Sequence, residues 1–220
     1  MKQSVVIVAG GKGLRMGGEL PKQFLTLHDK PIIFHTIASF QKALPKASII
    51  LVLPKSEMAR WMKLSLNTPF QKLTVVEGGE TRFDSVKAGL TMVEGGIVGI
   101  HDAVRPLVNE TTIKTTFEAA QKHKGAIPVI PLKDSLRKLE GEKSTAVNRG
   151  EYCLVQTPQC FYTDLLKSAY EKEFSILFTD DATVFEAAGH SLELVSGNAE
   201  NIKITTPEDL KIAEFLLANT

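Results

Sequence analysis

The sequence predicts an α/β fold, a three-layer sandwich built on a mostly parallel, Rossmann-like sheet. Short β-branched apolar runs alternate with helical patterns almost throughout, the order that a parallel sheet with crossover helices requires. The first run, Ser4 to Ala9, passes straight into a glycine cluster, and open α/β sheets bind their ligands just past the carboxyl ends of strands. At 220 residues and 43% hydrophobic content the chain can bury one sizeable core, so one domain over residues 1–220 is expected.

Composition excludes several function classes. A net charge of +1 gives no general attraction to nucleic acid or to a membrane surface, which leaves small molecules as the expected partners. Cys153 and Cys160 have neither C-x-x-C nor zinc-finger spacing and read as two buried or idle thiols in a reducing compartment. No charged n-region precedes the first strand, and no apolar run approaches about eighteen residues, so a cytoplasmic protein is expected.

The loop after the first strand runs through Gly10, Gly11, Lys12, Gly13, Arg15, Gly17 and Gly18 to Pro21-Lys22-Gln23. Clustered backbone N–H groups with Lys12, Arg15 and Lys22 suit a polyphosphate; a plain strand-to-helix turn is the competing reading. The dinucleotide fingerprint fits Gly11 and Gly13 but needs glycine at Met16, and the P-loop fits Gly13 and Gly18 but needs Lys-Ser or Lys-Thr at Glu19-Leu20. A longer loop with its own cations would wrap a triphosphate, which points to nucleotidyl transfer.

Ala9-Gly10-Gly11-x-Gly13-x-Arg15-Met16 followed by Pro21-Lys22-Gln23 resembles the signature of sugar-phosphate nucleotidyltransferases, in particular the cytidylyltransferases that act on 2-C-methyl-D-erythritol 4-phosphate. That resemblance implies a fold of the nucleotide-diphospho-sugar transferase type and CTP contacts at Ala9, Gly10, Gly11 and Gly13.

Further along, Pro31 opens a helix to about Gln41, Ser48 to Leu53 is a strand, and Lys55 to Leu66 is a helix with Trp61 and Met62 expected on its core side. Leu73 to Val76 is the next strand. Thr81 and Asp84 have capping-box spacing for a helix to about Val93. The run from Gly78 through Arg82, Ser85 and Val86 matches the family's G-G-x-x-R-x-D-S-V, implying CTP contacts at Gly79, Glu80, Arg82 and Ser85.

Ile97 to Ile100 is a strand ending in His101-Asp102-Ala103-Val104-Arg105-Pro106. A carboxylate at the carboxyl end of a central strand sits where a metal-bound triphosphate would lie, which makes Asp102 the leading acidic residue; a structural pair with Arg105 is the competing reading. His101 reads as packed and not catalytic. The resemblance is to H-D-A-A-R-P; it implies Ala103 against CTP, Asp102 at the ribose, metal and acceptor region, and Arg105 on the acceptor phosphate.

Asn109 to His123 is a helix ended by Gly125, and Ala126 to Ile130 a strand closed by Pro131. Two alternating stretches around Glu140-Gly141-Glu142-Lys143 read as a polar hairpin, too poor in apolar residues to stand alone, so a second subunit is expected against it. In the family an arm here, at about residues 132–150, joins a homodimer, and Ser135 and Arg149 fall on acceptor-contacting positions. Ser135 and Asn148 depart from the usual threonine and aspartate.

Tyr152 to Gln156 is a strand, and Thr157-Pro158-Gln159 matches T-P-Q. Thr163 and Asp164 start a helix, and Thr179-Asp180-Asp181-Ala182 resembles the T-D-E/D-A turn that opens the next, which ends at Gly189. Asp180 and Asp181 read as favouring the helix dipole, without a catalytic role. Leu192 to Val195 and Asn201 to Thr205 are strands, and Thr206-Pro207-Glu208-Asp209 caps the last helix. The family's carboxyl-terminal N-I-K-x-T-x-P-E-D-L pattern implies Lys203 in the site, and Thr157 and Thr179 are carried over as acceptor contacts.

The resemblance thus implies attack of an acceptor phosphate on the α-phosphorus of CTP, with Arg15, Lys22 and Lys203 as the catalytic cations. Magnesium, or another divalent cation, would be shared among the phosphates with Asp102 as the protein ligand. A ribitol 5-phosphate cytidylyltransferase is the alternative within the class. A dinucleotide-dependent oxidoreductase lacks its third glycine, and a non-catalytic nucleotide-binding module would leave Arg15, Lys22 and Lys203 without a task.

Overall fold

The structure, a computed structural model, describes residues 1–10 and 20–219. Among them, β1 (Gln3–Val8), β4 (Ser48–Leu53), β5 (Thr74–Glu77), β6 (Ile97–Asp102), β7 (Gly125–Pro131), β10 (Cys153–Val155), β11 (Gln159–Tyr162) and β12 (Glu193–Ser196) form one sheet. Its main run is β7-β11-β6-β1-β4-β5. The pairs β6/β1, β1/β4, β4/β5 and β7/β12 are parallel, while β11 enters antiparallel between β6 and β7, and β10 pairs antiparallel with β7.

Alternation along the strands fills both faces. Val5 and Ile7 point to one side, where they meet Ile33, Ile37 and Phe40 of α1 (Ile32–Ala43), Trp61 of α2 (Lys55–Ser65) and Phe117 of α4 (Glu110–His123). Val6 and Val8 point to the other, against Phe83 and Val86 of α3 (Arg82–Leu90), Leu166 of α5 (Thr163–Ala169) and Phe185 of α6 (Asp181–Ala187). Three layers result, and the register is pinned because a one-residue slip would exchange the two faces. The last helix, α7 (Pro207–Ala218), lies apart from these layers; Ala213 packs on Leu27, Ile32, Val104 and Ile204.

The expected hairpin is β8 (Leu136–Glu140) and β9 (Lys143–Val147), a two-stranded sheet of its own with a left-handed Gly141 at its tip. A second hairpin, β2 (Thr26–Leu27) and β3 (Lys30–Pro31), was not anticipated; it turns on His28 and Asp29, both at positive φ, so α1 begins one residue after Pro31.

Three expectations are corrected. Met62 is 65% exposed while Trp61 is 2% exposed, because α2 buries the stripe Glu57, Trp61, Ser65 and residue 62 lies about 100° round the helix from it. The left-handed residue that ends α4 is Lys124, not Gly125, which is already the first residue of β7. Residues 201–205 join no strand; the Asn201 carbonyl accepts from Arg105, its side-chain amide donates to the Thr157 carbonyl, and Ile204 donates its N–H to the Val104 carbonyl.

Candidate active site

The site begins where β1 ends. Gln23, buried beneath it, donates its amide to the Ala9 carbonyl at 2.9 Å, and Ala9 donates its N–H to Val52 at 2.9 Å. Ala9, Gly10 and Lys22 then line a cavity of about 200 Å³, together with Glu80, Thr81, Arg82, Ser85, Asp102, Val104 and Lys203. Arg15, Gly11 and Gly13 lie outside the described residues.

The start of α3 is built by a reciprocal cap. Thr81 Oγ1 accepts the Asp84 N–H, and Asp84 accepts the Thr81 N–H, both at 3.1 Å. A side chain at Gly79 would put its Cβ 2.3 Å from Cβ of Asp84, so only glycine lets the chain turn this closely into the cap. One turn on, Ser85 is buried, donates to the Thr81 carbonyl at 2.9 Å and lines the cavity.

β6 carries Asp102 to the floor. Its carboxylate meets three cations: Lys203 Nζ at 3.0 Å and Arg105 Nε at 3.4 Å on Oδ2, and Arg82 Nε at 3.6 Å on Oδ1. Burial alone would raise the acid's pKa, but the charges of Arg82, Lys203 and Arg105 hold it well below the ordinary carboxylate range. Arg105 also donates Nη1 to the Asn201 carbonyl at 2.8 Å, so its pair with Asp102, the competing reading of the sequence, is one contact in a wider network. Three cations thus converge on a single carboxylate at the floor, the kind of cluster that phosphate groups seek.

Behind Asp102, His101 is fully buried against Phe40, with ring centroids 4.8 Å apart. Its Nε2 bonds the Arg105 carbonyl at 3.1 Å, which can only accept, so Nε2 carries the proton and Nδ1 accepts from the Thr157 hydroxyl at 2.9 Å. Burial drops its pKa to about 4, the Asp102 charge only partly opposing this. His101 is packed, as expected.

A second cavity, about 130 Å³, adjoins the first and shares Arg82, Asp102 and Lys203 with it; Arg105, Thr157, Thr179 and Asp180 are among the other residues of its wall. Asp180 caps α6 by accepting the Thr183 N–H at 2.9 Å. Asp181, with no exposed surface, accepts from Arg82 Nη2 and from the Tyr170 hydroxyl, each at 2.6 Å. Among the described residues, no group of three or more His, Cys, Asp or Glu could hold a metal ion, and no helix is long and apolar enough to cross a membrane.

The structure therefore brings together Ala9, Gly10, Lys22, Glu80, Arg82, Ser85, Asp102, Arg105, Thr157, Thr179 and Lys203. Gly79 borders the groove that continues from Gly10 and Glu80. Ala103 faces the core, its N–H given to Val8 and its carbonyl to Thr36, and Val104 takes its place on the cavity wall. Ser135 and Arg149 line neither cavity; both are exposed at the root of the arm, and Arg149 donates to the Lys133 carbonyl.

Sequence reasoning gave no role to Gln23, Gln159 or Asn201, whose amides clamp backbone around the site. Gln159 donates to Asp180 at 2.8 Å and accepts the Ala182 N–H at 2.9 Å, and Asn201 donates to the Thr157 carbonyl at 2.9 Å. Gln23 and Gln159 stood inside the quoted Pro-Lys-Gln and Thr-Pro-Gln motifs, which was the available signal.

Comparison with known proteins agrees with this geometry. The family model described as "IspD: 2-C-methyl-D-erythritol 4-phosphate cytidylyltransferase" matches residues 3–219. The 2-C-methyl-D-erythritol 4-phosphate cytidylyltransferase of Bacteroides thetaiotaomicron is 52% identical over 219 residues, covering 99% of this chain and 100% of the relative. The crystal structure of the enzyme of that name from Thermus thermophilus aligns with a TM-score of 0.79 at 34% identity, over 99% of this chain and 100% of the other. That of the 4-diphosphocytidyl-2C-methyl-D-erythritol synthase of Anaerococcus prevotii aligns at 0.85 and 28%, over 99% and 96%. A motif-bearing loop, a cation-rich Asp102 and full-length similarity thus converge: the chain belongs to the 2-C-methyl-D-erythritol 4-phosphate cytidylyltransferase family.

Proposed function

We propose that this chain transfers CMP from CTP to 2-C-methyl-D-erythritol 4-phosphate, giving 4-diphosphocytidyl-2-C-methyl-D-erythritol and pyrophosphate. The observation that carries this reading is the wall of Arg82, Asp102 and Lys203 shared by two cavities, one rising from the glycine-rich strand end and one lined by Thr157 and Thr179. Two anionic substrates placed on either side of that wall would meet across it.

In this reading an oxygen of the acceptor's phosphate attacks the α-phosphorus in line, the bond to the β-phosphate breaks, and pyrophosphate carries away the electron pair. A phosphate monoester is already nucleophilic at neutral pH, so no base is needed and the protein supplies position and charge. Lys22 bridges the α-phosphate and the attacking phosphate, Arg15 holds the leaving phosphates, and Lys203 counters charge on the acceptor side. Ser85, Glu80 and the backbone at Gly10 and Gly79 read the cytosine. Arg105 and Thr157 receive the acceptor. A divalent cation, magnesium by preference, would come with the triphosphate and neutralise its oxygens. Asp102 is the carboxylate that would share it; its Oδ1 has an ion pair with Arg82 at 3.6 Å and, among the described residues, no closer cation.

The arm suits a homodimer. Leu139 on β8, and Tyr152 and Leu154 at β10, are half-exposed or more, and the two-stranded sheet pairs with no other described strand of its own chain. A twofold partner would cover them and bring Arg149 and Ser135 to the neighbouring acceptor cavity. Residues 1–220 would then act as one unit in the cytoplasm.

The test is a coupled pyrophosphate assay with CTP, UTP, ATP and GTP against 2-C-methyl-D-erythritol 4-phosphate and ribitol 5-phosphate. CTP with the methylerythritol acceptor should turn over fastest. Faster turnover of ribitol 5-phosphate would overturn the acceptor assignment, and release from another nucleotide alone would overturn the base assignment.

A further inference from the structure

Asp181 belongs to no step of that mechanism, yet it is the most tightly enclosed carboxylate near the site. It has no exposed surface, and its two oxygens are each fixed at 2.6 Å, Oδ1 by the Tyr170 hydroxyl and Oδ2 by Arg82 Nη2. The surroundings hold it from both ends. Phe83 stacks on the Tyr170 ring with centroids 4.6 Å apart, and Gln159 grips the residues on either side of Asp181, Asp180 and Ala182.

A helix dipole needs none of this, because an exposed carboxylate at the first turn serves it as well. What the arrangement does is divide Arg82. Its Nη2 is committed to Asp181, while Nε stands off Asp102 at 3.6 Å. Asp102 in turn keeps its shorter contact, 3.0 Å, for Lys203. Burial works against the Arg82 charge, but Asp181 and then Asp102 outweigh it, so the guanidinium stays charged on a wall that belongs to both cavities. Without Asp181, Arg82 would have one carboxylate left to pair with, and the guanidinium would close onto it.

We propose that Asp181 is a positioning residue for the transfer reaction: it holds Arg82 in place on the wall shared by the two cavities, and so keeps Asp102 paired with Lys203. The inference rests on the functional reading above. It differs from a purely structural role for Asp181, in which the carboxylate only fastens α6 to α3.

A double-mutant cycle separates the two. Asp181→Asn should lower kcat by about tenfold or more with KM for CTP changed less than about threefold, as expected when a charge is misplaced but the nucleotide contact survives. In an Arg82→Gln background the same substitution should change kcat by less than about twofold, because the residue through which Asp181 acts is gone. Multiplying losses in the double variant, or a single variant within about twofold of wild type, would overturn the proposal. If Asp181→Asn does not fold, Tyr170→Phe removes one of the two bonds and leaves the charge; it should show a smaller kcat loss with the same non-additivity against Arg82→Gln. Wild-type protein that releases no pyrophosphate from CTP would overturn the functional reading and this inference together, whereas active wild type with multiplying losses counts against Asp181 alone.

Discussion

The Thr157 hydroxyl stands between His101 and Asp102, donating to His101 Nδ1 at 2.9 Å and accepting the Asp102 N–H at 3.2 Å. The floor of the site therefore depends on a neutral imidazole, since a protonated Nδ1 would offer a second donor where Thr157 already gives one.

This sets a pH dependence for stability. The unfolded chain binds the His101 proton near pH 6.5, and the folded chain only near 4, because burial disfavours the imidazolium. Between these values the unfolded state holds more protons, so stability is intact above about pH 6.5 and falls as pH drops toward 4, by an amount on the order of 3 kcal/mol. Urea unfolding from pH 7 to 4 should show this fall, and a His101→Gln chain should show a shallower one. Equal slopes would detach His101 from the effect.

Lys22→Ala should lower kcat by about 10² to 10³ with little change in CTP affinity, because a charge aimed at the developing transition state acts mainly there. Single-turnover kinetics with a separate CTP binding measurement would check it. Near-normal turnover removes Lys22 from the chemistry.

Ser85→Ala should weaken the preference for CTP over UTP by about fivefold, the worth of one polar contact to a base. The helix itself should hold, since Thr81 and Asp84 keep their cap without the Ser85 hydroxyl. An unchanged nucleotide preference with unchanged melting would mean that the base is read elsewhere.

If the arm crosses to a twofold partner, the site is composite, with Lys22 and Lys203 from one chain and Arg149 from the other. An Arg149→Ala chain and a Lys203→Ala chain, each nearly inactive, would form mixed dimers in which one site carries both lesions and the other neither. With random exchange about half the dimers are mixed, so activity should return to roughly a quarter of wild type. Exchange confirmed by mass, without recovered activity, would assign Arg149 to its own chain.

What could be read in the sequence was mostly local. The caps at Thr81-Asp84 and Thr206-Asp209 sit within one turn of their partners, and both fold as reciprocal caps. What escaped was set by distant contacts. Gly125 looked like a helix terminator, but a Cβ there would lie 2.6 Å from the Phe185 ring, so it is glycine for packing while Lys124 takes the left-handed turn. Asn201 to Thr205 had a strand's composition, yet Asn201 gives its carbonyl to Arg105 and its amide to Thr157, and Ile204 bonds Val104, which leaves no ladder to join. Asp181 resembled a dipole partner because Arg82, which defines its role, lies far off in the chain.

Lys203 reaches Asp102 from the segment just before α7, after every strand of the sheet has been laid down. Since a chain is synthesised from its amino terminus, β1, β6 and the helices that pack on them exist before the last cation of the site has been made. On the proposed mechanism, catalytic competence therefore waits for this segment. Ribosome-stalled chains ending before Asn201 should acquire helix and sheet but release no pyrophosphate from CTP, and release should begin only once Lys203 has cleared the exit tunnel and docked.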